Sequence, residues 1–422
     1  ALATNPDLRM AAHRIAAARE EVEVARSAWA PVLGVGLNFG YSNDPASVLM
    51  MRLRQRDLEL GPDTDLNEPG WQTNTRVSLT AGWQLYDGGR RTSMTELRRL
   101  QVLLTEGDRD AILNELKAAV IDTSLAVFMA EEFGRVATES VNLTSEQVKI
   151  ASTRHELGQA QRSDLLTAEV RLAEARETLV KAENARARAL TALRNLLGLS
   201  SDAPLNLTGT GDFHVPPVVT TELVGVAAAN RPEVKKAADA VRMAERQVEL
   251  TRVGYRPTVS VFGSYDVDNA LGDFSLDNDS GTVGLTLDWA LFEGGRTNSR
   301  VASAKARLEA AREAERKAIL AVEKDVAMAD LRLGEARKRL EVSEKSAEQA
   351  DEALRLIRAR YENGAATITE FLDAEVALTG ARVRTVSARY DVERATADIR
   401  RALGICRAAP ETAALDDVTG DE

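Results

Sequence analysis

The sequence predicts an α+β membrane protein: a 12-stranded β-barrel assembled from three chains, four strands each, continuing into a long α-helical coiled-coil barrel. Three observations carry this reading. The chain is an internal two-fold repeat, each half holds two long alternating strands, and each half holds a very long proline-free helical stretch.

The repeat is read from constant spacings. Pro6, Trp29 and Pro31 lie 226 residues before Pro232, Tyr255 and Pro257. From there on the offset is 206. Trp83-Gln84-Leu85-Tyr86-Asp87-Gly88-Gly89-Arg90 pairs with Trp289-Ala290-Leu291-Phe292-Glu293-Gly294-Gly295-Arg296, Gly158 with Gly364, Leu166-Thr167-Ala168-Glu169 with Leu372-Asp373-Ala374-Glu375, and Leu197-Gly198 with Leu403-Gly404. The 20-residue change of offset falls between about Asn43 and Thr75, so the first half carries a longer loop there. The expected organisation is repeat 1 over 1–204, an equatorial connecting segment over 205–230, repeat 2 over 231–404, and an acidic, disordered tail over 405–422.

The strands are expected at about 32–42 and 76–86, then 257–267 and 282–292. One face of them reads Val35, Leu37, Phe39, Tyr41 and Val77, Leu79, Trp83, Leu85. The other reads Gly34, Gly36, Asn38, Gly40 and Ser78, Thr80, Gly82, Gln84. The second half repeats the pattern. Strands of about 10 residues suit a tilted crossing of hydrocarbon, whereas strands of soluble sandwiches average nearer 5 or 6. Four strands cannot close a barrel, and an open sheet edge is forbidden in lipid. Chains must therefore pool their strands: two copies give a filled interior, three give a pore. The Gly/Ser/Thr face suits a pore.

The helical stretches are expected at about 90–157 and 163–198, then 232–255, 296–363 and 367–403. The two longest run for roughly 100 Å at 1.5 Å per residue. Two shorter helices stacked end to end span nearly the same length. Alanine at many packing positions allows the close approach of a coiled-coil wall. Such helices make a tube or a stalk.

Composition excludes several function classes. A net charge of −11 disfavours nucleic acid. The single cysteine, Cys406, excludes an internal disulfide or a cysteine-based metal cluster, and His13, His155 and His214 share no ligand spacing. No nucleophile stands beside a base and no cofactor loop is evident, so an enzyme is not expected, nor a metal or cofactor. Gly88-Gly89 and Gly294-Gly295 lack the lysine and spacing of a phosphate loop and read as strand-to-helix joints. The Asp-rich stretch from Asp268 to Gly281 reads as a solvated loop rather than a calcium site, and Met50-Met51 as loop packing rather than a copper site. No signal peptide is visible at Ala1, so a mature chain with its export signal removed is expected.

The Leu-(Tyr/Phe)-(Asp/Glu)-Gly-Gly-Arg motif, the helix-turn segments Arg154–Glu169 and Arg360–Glu375, and above all Arg360-Tyr361, Gly364 and Thr367 followed by Leu372-Asp373-Ala374, resemble the TolC family of outer-membrane efflux proteins. The resemblance covers almost the whole chain. It implies a homotrimer in outer-membrane lipid reaching into the periplasm, docked to an inner-membrane pump through a periplasmic adaptor. The function it implies is that of the exit duct of a tripartite efflux pump or type I secretion system; the alternative is a soluble coiled-coil scaffold of the cell envelope. Some relatives are acylated at an N-terminal cysteine, which this sequence does not place near Ala1.

The resemblance also implies site residues. Glu370 and Asp373 match the carboxylates of a periplasmic constriction, with Asp164 equivalent to Glu370 and Thr167 standing where Asp373 would be. Three apart on a helix, Glu370 and Asp373 share a face, and three chains would give a ring of six acidic groups favouring cations. The other reading of Glu370 is a capping box with Thr367. Tyr361 matches a gate-latch tyrosine, while the family's latch arginine falls at Ala366. The turns Leu157-Gly158-Gln159 and Asn363-Gly364-Ala365 are the expected adaptor-contacting tips, although both glycines also fit helix ends. Gly88, Gly89, Gly294 and Gly295 mark the barrel–tunnel junction.

Overall fold

The computed structural model describes residues 4–61, 65–207, 220–273 and 275–405, with residues 220–222 as backbone only. The expected disordered tail lies outside the described residues but for Ile405, as do Cys406, His214 and the 208–219 portion of the connecting segment. The chain divides into two compact units, one of Ile15–Leu104 and Ala238–Glu313, the other of Ala1–Arg14, Thr105–Ala237 and Ala314–Glu422.

In chain order the elements are α1 (Pro6–Ser27), β1 (Val32–Ser42), α2 (Pro45–Arg54), β2 (Gln72–Tyr86), α3 (Arg90–Glu156) and α4 (Arg162–Leu196), then α5 (Thr220–Asn230), α6 (Pro232–Arg252), β3 (Thr258–Asn269), β4 (Asp279–Asp288), α7 (Arg296–Glu362) and α8 (Ile368–Ala402). A 3-10 turn over Val253–Tyr255 ends the helix expected at 232–255. No helix among the described residues is long and apolar enough to cross a membrane.

In the first unit the strands form one antiparallel sheet in the order β1-β2-β3-β4. Val35 faces Leu79, which faces Tyr265, so the apolar residues of the two repeats share one face. Most of that face is bare among the described residues: Val35 is 78% and Val283 84% exposed, and Leu37, Leu79, Leu285 and Leu287 are exposed too, while Val267 is buried. An apolar surface of this extent marks a contact with lipid or protein. Tyr41 stacks on Trp71 at 4.6 Å near the end of this face.

Four local features depart from the sequence expectations. β2 begins at Gln72 rather than 76, because β1 offers ladder partners as far as Ser42, opposite Gln72. β4 runs from Asp279 to Asp288 rather than 282–292. Its last residues leave the ladder where the Trp289 indole donates to the Tyr255 carbonyl at 3.2 Å. Asp268 and Asp279 are thus strand residues, not members of a solvated acidic loop. The long first loop contains α2, capped by Asp44, whose carboxylate accepts from the Ser47 amide at 2.8 Å, with Pro45 in the first turn. That pairing of cap and proline is a helix-start signal.

In the second unit the core is a seam of small and aliphatic side chains. Val322, Val326, Ala329 and Leu333 of α7 pack with Ala395, Ile399 and Ala402 of α8. α5, the short helix that precedes Arg231-Pro232, adds Leu223 and Ala227 to that seam. Farther along α7 and α8, Leu354, Ile368, Phe371, Leu372 and Leu378 pack with Ala151 of α3 and Ala168 of α4. Ion pairs tie the helices across the surface, including Arg382 to both Glu139 (3.2 Å) and Asp351 (3.1 Å).

Candidate functional site: helix tips and strand-to-helix corners

Both tips are built from the same backbone device. Gly158 (φ 73°) and Gly364 (φ 73°) adopt the left-handed conformation that ends a helix. The Gln159 amide donates to the Arg154 carbonyl at 2.7 Å, and the Ala365 amide to the Arg360 carbonyl at 2.8 Å. A Cβ at either glycine would meet nothing within 4 Å, so conformation alone requires glycine there. Leu157 at the first tip is 66% exposed, and Asn363, Gly364 and Ala365 at the second are exposed.

Each following helix starts on a carboxylate. The Thr367 amide donates to Glu370 Oε2 at 2.7 Å, and the Glu370 amide to Thr367 Oγ1 at 3.2 Å. The backbone amide of Thr367, then its hydroxyl, then the charge of Arg360 hold the Glu370 carboxyl below its ordinary range. In the first repeat, Asp164 accepts from the Gln161 amide at 3.3 Å. The capping role of Glu370 is therefore real, and its carboxylate remains exposed and ionised.

Asp373 has a partner that the motif did not reveal. Arg171 of α4 donates to Asp373 Oδ1 at 2.9 Å and also pairs with Glu174 at 3.1 Å. One of the two carboxylates expected to face the constriction is thus ion-paired with an arginine of its own chain. The signal lay in the repeat itself: Asp373 aligns with Thr167 and Arg171 with Ala377, so acid and base appear each in one half only.

Tyr361 stacks on Phe371 at 5.5 Å, and the guanidinium of Arg154 lies 4.9 Å from its ring centroid. Phe371 is 1% exposed. The tyrosine expected in a latch is therefore met by an arginine from the end of α3, in a sequence with alanine at position 366. Cation–π pairs of this kind contribute about 0.5–1 kcal/mol where exposed.

Glu375, one turn beyond, is 4% exposed and accepts from the Thr144 hydroxyl at 3.3 Å. It lines a cavity of about 320 Å³ between α3, α4 and α8, with Arg171, Thr178, Leu372 and Val376. Burial pushes its carboxyl above the ordinary range, opposed by the Thr144 hydrogen bond and the charge of Arg358. A carboxyl that holds its proton more tightly when folded loses stability as pH rises through its folded pKa. Glu375→Gln should raise thermal stability at pH 8 by on the order of 1 kcal/mol, the scale of ordinary single substitutions. The gain should vanish in melts below pH 4; an equal gain at both would refute the burial argument.

The strand-to-helix corners repeat in equal detail. The Trp83 indole donates to the Trp29 carbonyl at 3.0 Å, as Trp289 does to Tyr255. Asp87 accepts from the amides of Gly89 (3.0 Å) and Arg91 (2.7 Å) and from the Arg91 guanidinium at 3.0 Å. Arg91, 8% exposed, also lies 4.1 Å over the Trp29 ring. At the second corner Glu293 accepts from the Thr297 hydroxyl at 2.6 Å. Gly88 (φ 69°), Gly89 (φ 95°), Gly294 (φ 61°) and Gly295 (φ 82°) are all left-handed. A Cβ on Gly88 would come within 2.9 Å of Arg256 Cβ. Among the described residues, no group of three or more metal-ligating side chains is assembled.

A four-stranded sheet with open edges, an unpartnered apolar face and helices of 67 residues defines an outer-membrane protein of the efflux-channel class. The sequence profile described as outer membrane efflux protein matches residues 1–199 and 223–405, and the chain belongs to that family. It is similar to protein CyaE of Bordetella pertussis, 29% identical over 418 residues, covering 97% of this chain and 82% of that protein. It is also similar to outer membrane protein OprJ of Pseudomonas aeruginosa, 25% identical over 414 residues, covering 96% and 82%. Among solved structures, a membrane protein from Pseudomonas aeruginosa shares the fold with a TM-score of 0.80 at 23% identity, covering 96% of this chain and 91% of that one. The protein is an efflux channel of the outer membrane.

Proposed function

We propose that three copies of the chain form the passive exit duct of a tripartite efflux pump or type I secretion system, taking substrate from an inner-membrane pump and periplasmic adaptor to the outside. The observation that supports this best is the sheet. Four strands with two unpaired edges and a largely exposed apolar face require closure with other copies in lipid. Twelve strands leave a pore lined by the Gly/Ser/Asn face. The protein performs no chemistry on what it carries; energy and choice of substrate belong to the pump.

In this reading Glu370, Asp373, Asp164 and Tyr361 line or latch the periplasmic constriction. The tips at Leu157-Gly158-Gln159 and Asn363-Gly364-Ala365 meet the adaptor, and the four corner glycines turn the wall from barrel into tunnel. The test is the mass of the detergent-extracted complex together with single-channel recording. Three chains per particle and a cation-selective conductance are expected; a monomer in plain buffer would overturn the reading. Because Arg171 neutralises Asp373, Arg171→Ala should raise cation selectivity while Glu370→Ala with Asp373→Ala lowers it, each by a few-fold. Unchanged selectivity in both would remove these carboxylates from the constriction.

A further inference from the structure

The one stretch of the first repeat without a counterpart in the second is the longer loop between β1 and β2, and it contains α2. The register fixes the face on which α2 lies. Gly40 stands opposite Asn74, Asn38 opposite Arg76, and Arg76 opposite Asp268, so these residues share the polar face, away from the exposed apolar one. Met51 of α2 reaches that face: a Cβ on Gly40 would lie 3.2 Å from Met51 Cε.

The end of α2 is anchored to the same face. The Gln55 amide, 5% exposed, donates to the Thr73 carbonyl at 2.7 Å and to Asn74 Oδ1 at 2.8 Å. Asn74 in turn donates to Asp268 Oδ1 at 2.6 Å, which also receives Arg76 Nε at 3.0 Å. Arg56, at the unusual φ of 52°, is held by donating to both the carbonyl and the carboxylate of Asp279. A non-glycine residue in that conformation persists only where its surroundings hold it. Val48, Met51 and Gln55 form the face of α2 turned to the sheet, which leaves Met50 and Leu53 exposed on the other side and Arg54 exposed at its flank.

We propose that α2 is a second, outer constriction of the pore, in which the three copies of the helix converge on the channel axis and present Met50 and Leu53 to the substrate. The inference rests on the threefold barrel proposed above. Twelve strands about 4.8 Å apart and tilted about 40° enclose a bore roughly 24 Å across, measured between backbones. Three helices, each about 10 Å in diameter, occupy most of such a bore. A ring of Met and Leu side chains resists wetting. Extended or small substrates pass only when α2 lifts from the sheet, and its polar anchors, unlike a greasy core, can exchange for water.

The test is thiol accessibility from outside the cell. A Gly36→Cys reporter, whose Cβ would meet only Ser78 Cβ at 3.9 Å, sits on the same face four residues below Gly40. It is placed in a chain with Cys406→Ser. It is labelled with a small maleimide and with one carrying a polyethylene glycol too wide for the closed bore. Two variants remove the constriction: Pro45–Arg56 replaced by a short Gly/Ser linker, and Gly40→Val, which displaces Met51 and leaves the loop intact. The small reagent should label all three chains alike. The wide one should label both variants at least about tenfold faster than the parent, as expected of a size barrier. Equal labelling by the wide reagent in all three overturns the proposal. The mass of the extracted complex, read on the same sample, tests the threefold assembly separately.

Discussion

Phe371→Ala is expected to release the tip of the α7–α8 hairpin. Phe371 is fully buried, stacks on Tyr361 and carries the Arg358 guanidinium 5.7 Å from its ring centroid. Truncating a buried phenylalanine costs about 3–5 kcal/mol, partly as lost transfer energy and partly as the cavity left behind. The loss should be local, because the seam of α7 and α8 farther from the tip does not include this ring. Hydrogen exchange of amides between Ile357 and Leu372 should therefore accelerate more than about 100-fold, while amides near Val326 and Ile399 change little. Phe371→Leu, which keeps most of the volume, should recover the larger part. Uniform acceleration along α8 would mean that the tip and the seam unfold as one.

Arg91→Met is the second large effect. It leaves the Asp87 carboxylate, itself 7% exposed, without its guanidinium. Breaking one side of a buried ion pair costs about 3–5 kcal/mol, mostly as an uncompensated buried charge. The double variant Asp87→Asn, Arg91→Met should be markedly more stable than Arg91→Met alone, because the stranded charge is gone. Thermal melts of the four chains of that cycle would measure the coupling, expected at about 1–3 kcal/mol. Additive losses would show that Arg91 acts through its stacking on Trp29 and its bonds to the Ala28 and Leu85 carbonyls instead.

Much of this architecture was legible because the chain states it twice. The corner motif occurs as Tyr86-Asp87-Gly88-Gly89 and as Phe292-Glu293-Gly294-Gly295, and the matching indole hydrogen bonds follow from the same alignment. The alternation of Val35, Leu37 and Phe39 identified an apolar face, and it lies bare in the folded chain. What escaped notice lies where the halves differ. α2 has no counterpart, and its helix signal at Asp44-Pro45 is short. The Arg171–Asp373 pair joins residues 202 apart, and no local pattern reports a contact between two helices. Arg154 beside Tyr361 and Thr144 beside Glu375 escaped for the same reason. Glu375 looked like its repeat partner Glu169, yet one is buried and the other exposed. Equal sequence motifs in two repeats meet unequal neighbours, and only packing distinguishes them.

The unpaired rims of β1 and β4 bear on how the channel is made. A lone chain that entered the bilayer would carry two rows of amides and carbonyls into hydrocarbon with nothing to bind. Union with its siblings must therefore come before or during insertion, and synthesis at low abundance should stall at that stage. One copy with a spoiled rim would also ruin the whole ring it joins, so damage in a single allele would spread through every mixed assembly.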